Sequence, residues 1–153
     1  MVLKDGITGF FQMSQRKSLP HIEMETFKKE VSGSLAQLGY RLLYFREAGV
    51  TPNFHLVVFG KGGERLGVIC NSIYPVVALV KEIDVGVCEL RYIEDENVEN
   101  LIESNTSFYI VSTADLDQEL TSGALKELNE AELRQINYWK PQTIGEVVFN
   151  WWD

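Results

Sequence analysis

The sequence predicts an α+β domain, and three observations carry that reading. A helical stripe of apolar residues occupies 23 to 38, three β-rich runs follow between 40 and 71, and the pattern turns helical again after Ala114. Together they predict an antiparallel sheet of four to six strands, with one N-terminal helix and two or three short helices closing the C-terminal end.

In the first stripe Met24, Phe27, Val31, Leu35 and Leu38 recur at spacings of three and four, which places them on one helix face. Gly39 supplies the stop. Upstream, Phe10 and Phe11 read as a tether onto the body, outside regular structure. The runs YRLLYFRE (40–47), NFHLVVFG (53–60) and ERLGVICN (64–71) are rich in Val, Ile, Tyr and Phe, as strands are. Gly60-Lys61-Gly62-Gly63 joins the second and third as a tight hairpin, and Gly49 and Pro52 mark the turn before them. The three runs therefore form a meander around 40–71.

Both faces of the central hairpin are apolar. Phe54, Leu56, Val58 and Ile69 line one; Val57, Phe59, Leu66 and Val68 line the other. Such a sheet needs cover on both sides, from helices or from a second copy in a homo-oligomer. In SIYPVVALVKE (72–82) Pro75 suits the first position of a helix, but the valines favour a strand, and strand is the preferred reading. Further strands are expected near 85–94 and 107–113, with a helix between them set by Val98, Leu101 and Ile102.

Near the C-terminus, Asn129 and Glu132 have capping-box spacing, and Leu133 and Ile136 should face inward. Lys140-Pro141 ends that helix, because a residue before proline avoids the helical region. Thr143 and Glu146 repeat the capping pattern for a last helix. There Ile144, Val147, Val148 and Trp151 fall at i, i+3, i+4 and i+7, so Trp151 is expected to anchor the terminus. Trp152 falls off that stripe, beside Phe149 or in solvent.

With 153 residues, 45% hydrophobic and 24% charged, residues 1–153 are expected to form a single domain. A net charge of −8, from 22 acidic and 14 scattered basic residues, opposes binding to nucleic acid and to anionic membranes. The longest strongly apolar run, IYPVVALV, is too short to span a bilayer. The first twenty residues lack the apolar core of a signal peptide, and Cys70 and Cys88 are too few for a disulfide framework. A cytoplasmic location is the expectation.

No motif for chemistry is strong. No pair of Cys or His has metal-ligand spacing, so no metal is expected. GKGGERLG matches neither phosphate-binding glycine pattern, and no cofactor is expected. The acidic run Glu94-Asp95-Glu96 with Glu99 and Glu103 does not match a calcium loop. Three functions remain. The leading one is a non-enzymatic, immunity-like or regulatory binder of a basic protein partner, using Trp139, Trp152, Glu96 and Glu99. The second is a small-molecule-binding or sensor module, its pocket lined by Tyr44, Tyr92, Tyr109 and Trp139. The third is a cysteine-dependent enzyme: an even-numbered turn would put His55 beside Cys70, the minimum for a thiol nucleophile and its base. Cys is also among the most buried residue types, which favours packing at that position.

Overall fold

The computed structural model describes residues 1–81 and 89–153. The central hairpin pairs β2 (Phe54–Lys61) with β3 (Glu64–Asn71), closed by Gly62-Gly63. Both glycines have positive φ, 56° and 87°. That backbone matches the right-handed twist of the flanking strands and is disfavoured for residues with a Cβ. β1 (Arg41–Arg46) pairs antiparallel with β2, and β4 (Val76–Val80) with β3. The strand reading of 72–82 therefore holds over Val76–Val80, just past Pro75, and Glu82 lies outside the described residues.

α1 (Met24–Ala36) buries Met24, Phe27, Val31 and Leu35, the expected face. α2 (Glu96–Asn105) buries Val98 and Ile102. Its N-terminus is capped by Asp95, whose side chain accepts from the Val98 N–H. Acids at this end also complement the helix dipole.

β5 (Tyr109–Ile110) joins β4 in parallel, giving the five-strand order β1-β2-β3-β4-β5. The sheet is thus mostly antiparallel with one parallel edge. The reason is the intervening α2, since parallel neighbours need a long crossover between them. β5 is shorter than the expected 107–113 because Ser112 already caps α3 (Thr113–Leu116). Of the strand expected at 85–94, positions 85–88 lie outside the described residues. In its described part Tyr92 makes an isolated antiparallel bridge to Val80.

The C-terminal region holds α3, α4 (Ser122–Leu125), α5 (Glu130–Trp139) and α6 (Ile144–Val148), four helices rather than two or three. Two apolar cores result, one on each sheet face. α1 and α2 cover Val57, Phe59, Leu66 and Val68. The C-terminal helices and the N-terminal Leu3 and Ile7 cover Phe54, Leu56, Val58 and Ile69. Phe10 packs on this second core as a tether, its ring 6.5 Å from that of Trp152.

Three C-terminal expectations are corrected. α5 has its full capping box, with Asn129 accepting from the Glu132 N–H and Glu132 from the Asn129 N–H. Yet Leu133 is exposed, because the inward position of this helix is occupied by Glu132. At α6, Thr143 caps the Glu146 N–H, but the Glu146 carboxylate accepts from Gln142 instead of Thr143. For the tryptophans, Trp151 does pack on the core, its ring 5.2 Å from that of Phe54, but only half-buried, whereas Trp152 is the more buried of the two at 7% exposed. α6 stops at Val148 and Phe149 is extended (φ −123°, ψ 95°), so helical spacing no longer applies where the tryptophans begin.

Candidate functional site

The aromatic C-terminus is held in place by three buried asparagines that sequence patterning missed. Asn53 and Asn71 sit at the open end of the β2–β3 hairpin. The Asn53 amide donates to the carbonyls of Ile7, Thr8 and Val148. The Asn71 amide donates to Ile7 and Val148, and its Oδ1 accepts from the N–H groups of Ile73 and Tyr74. Asn150 donates from its backbone to Asn53 Oδ1 and from its amide to Thr8 and Val147, while its own Oδ1 accepts from Trp152 N–H. Both chain-end segments are thereby clasped to the sheet. Their non-helical, buried backbone would otherwise lack partners. The only hint in the sequence is that Asn71 and Asn150 each interrupt an apolar context.

The clasp presents an aromatic cleft of about 730 Å³, a size typical of small-molecule sites. Among the described residues all three tryptophans, Trp139, Trp151 and Trp152, line it, with Tyr92 and Phe149. The rings of Trp139 and Trp152 are parallel within 3°, centroids 6.5 Å apart. Trp139 comes from the last position of α5, and its indole N–H donates to Gln135 one turn earlier. Tyr92 donates its hydroxyl to the Gly145 carbonyl. Burial drives its pKa strongly upward, and the carboxylates of Asp117 and Glu146 add to the shift.

Of the four residues expected to line a pocket, Tyr92 and Trp139 meet here. Tyr44 lies on β1 and Tyr109 on β5, and neither lines this cleft. Of the four expected at a partner surface, Trp139 and Trp152 stack together. Glu96 and Glu99 belong to α2, whose buried residues join the other core. Glu99 is engaged locally, accepting from the Asp95 N–H.

His55 and Cys70 are directly opposed across the hairpin. Their polar atoms are turned to other partners. His55 Nδ1 accepts from the Ala48 N–H at 2.9 Å, which places the proton on Nε2, donating to the Ile22 carbonyl at 2.7 Å. Burial lowers the His55 pKa. The Cys70 thiol donates to the Asn71 carbonyl, and burial raises its pKa well above the ordinary value. A raised pKa suppresses the thiolate, which is the reactive form. Cys70 is therefore expected to resist iodoacetamide at neutral pH until the protein unfolds, as followed by mass spectrometry of the Cys70 peptide. Rapid native alkylation would restore the nucleophile reading.

Among the described residues no group of three or more His, Cys, Asp and Glu side chains could hold a metal ion. No described helix is long and apolar enough to cross a membrane. No family model, curated protein or solved structure matches this chain.

The second candidate surface is β1. It is an edge of the sheet, and every one of its six residues is exposed. Leu42, Leu43, Tyr44 and Phe45 are 38, 37, 40 and 46% exposed. The register shifts between Leu42 and Tyr44, so Leu43 is the extra residue of a bulge. It lies over Gly60, where an added Cβ would come within 2.9 Å of Leu43 Cδ1. Lys28 from α1 sits 4.0 Å from the Phe45 ring centroid. Sequence reading took this run as an ordinary strand. Nothing in its pattern told that it would be an edge.

Proposed function

We propose that this protein is a protein-interaction module that takes an extended segment of a partner as an added strand along β1. The observation that supports this reading is an edge strand with four consecutive large apolar side chains in solvent. Folded proteins usually guard such edges with charge or a bulge. Here the bulge and the terminal Arg41 and Arg46 limit indiscriminate pairing, while the apolar centre stays open. Strand addition supplies main-chain hydrogen bonds for affinity and side-chain contacts for specificity.

The partner's chemistry follows from the strand. β1 carries Arg41 and Arg46 and no acid, in a chain of net charge −8. Two-fold antiparallel pairing with a second copy, centred on Leu43 and Tyr44, would set Arg41 opposite Arg46, and like charges directly opposed are destabilising. The fitting partner is a different chain, apolar in its centre and acidic at its flanks. The basic partner expected at Trp139, Trp152, Glu96 and Glu99 concerns other surfaces; at β1 the local charge favours a partner with acidic flanks.

The test is capture from lysate of the source cells by immobilised wild type and by two variants, Tyr44→Lys and Arg41→Glu/Arg46→Glu. Wild type should retain one stoichiometric protein. Each variant should lose it by about tenfold or more in affinity at unchanged melting temperature. Equal retention by all three proteins would overturn the reading.

A further inference from the structure

Independently of the strand edge, we propose that the aromatic cleft binds an organic cation, an ammonium or guanidinium head carried by a small molecule or by a basic side chain of another protein. Three features of the cleft converge on that chemistry. Trp139 and Trp152 both line it with parallel ring planes, Trp152 buried and Trp139 exposed, so the indole most open to an occupant is Trp139. Ring faces carry the negative end of the aromatic quadrupole and attract cations, Trp most strongly. The polar edge of Trp139 is already engaged with Gln135, and the side chain stays 40% exposed.

The charge around the cleft points the same way. The carboxylates of Asp117 and Glu146 both act on the part-buried Tyr92 hydroxyl. Glu89 adds a third acid at the wall, against Arg91 and Lys140. All five charged side chains belong to exposed residues, so the two cations can extend their heads into water. Beside its aromatic side chains the lining thus carries three carboxylates against two cations. An anion there would meet the carboxylates and the ring faces with the wrong sign. A neutral ligand would use the apolar surface and leave the negative charge of the carboxylates unmatched.

Because every tryptophan of the protein lines this cleft, intrinsic fluorescence reports on the site directly. The probes are choline, its neutral carbon isostere 3,3-dimethylbutan-1-ol, and a short arginine-containing peptide. A saturable change is expected with choline, with the peptide, or with both. Choline alone identifies a free small molecule as the source, and the peptide alone a protein side chain. The isostere should bind at least about tenfold more weakly than choline. Trp139→Ala and the double variant Asp117→Asn/Glu146→Gln should each weaken cation binding by about tenfold, at unchanged far-ultraviolet circular dichroism. These positions are exposed, so the fold should tolerate them. Arg41→Glu/Arg46→Glu should bind the cation like wild type, which separates this site from β1. Three results would each overturn the proposal: equal affinity for the isostere, unchanged binding in both cleft variants, or no saturable change up to about 10 mM of either cation.

Discussion

Asn71→Ala is expected to destabilise the protein by about 3–5 kcal/mol, an effect usually associated with large core truncations. The Asn71 side chain is fully buried and its two ends do different work. Its amide ties Ile7 and Val148 to the sheet; its Oδ1 satisfies the Ile73 and Tyr74 N–H groups. The two carbonyls keep a bond from Asn53, so the loss falls hardest on the two amides. A buried donor left without a partner costs about 1–3 kcal/mol, and a cavity adds to that. Urea titration followed by both fluorescence and far-ultraviolet circular dichroism is the measurement. Fluorescence should change first, because Trp151 and Trp152 closely follow Val148, which Asn71 clasps. A loss below about 1 kcal/mol would mean that the clasp is redundant.

Glu132→Gln should be nearly as damaging, by about 2–4 kcal/mol at neutral pH. Glu132 is 0% exposed on α5 and accepts from donors only: Gly6 N–H (2.8 Å), Thr8 N–H (2.9 Å), Thr8 hydroxyl (2.6 Å) and Asn129 N–H (3.2 Å). A glutamine must turn its NH₂ toward some of them. Burial nonetheless raises the Glu132 pKa above its ordinary 4.5, outweighing the hydrogen bonds that lower it. Only between the ordinary value and the raised folded value does the folded state hold a proton that the unfolded state has released. Stability contributed through this group is greatest below the ordinary value and declines as pH rises through the window up to the raised folded value, then levels off. Melting temperature against pH should show that descending segment for wild type and lack it in Glu132→Gln. Identical slopes for the two proteins would show that Glu132 does not titrate differently on folding.

Both predictions concern polar residues, and that marks where sequence reading stopped. Apolar periodicity located α1, the β1–β2–β3 meander and α2 within one or two residues. It also sorted the two hairpin faces into the two cores they occupy, because alternation in a strand is a local property of the chain. The spacing of Asn129 and Glu132 gave the capping box, again a local bond. It could not give the second task of Glu132, because Gly6 and Thr8 lie more than 120 residues away.

The site was partly legible. Aromatic type suggests Tyr92 and Trp139 as pocket residues, and they line the cleft; it suggests Tyr44 and Tyr109 equally, and they do not. Aromatic type alone says that a side chain suits a pocket, not which pocket. The tryptophans show the same limit. Extending helical spacing past Val148 assigned Trp151 to the core and left Trp152 outside it, whereas the chain turns extended at Phe149 and Trp152 is buried.

By itself the sequence determined the class of fold, the strand faces, the hairpin turn and the local caps. Each depends on residues within a few positions of one another, where bond geometry and side-chain period decide the outcome. Only the tertiary structure decided that β1 is an edge, that β5 runs parallel, and that three asparagines clasp both chain ends beneath an aromatic cleft. Those features depend on which distant segments meet, and no local period encodes a hydrogen bond between Asn71 and Ile7.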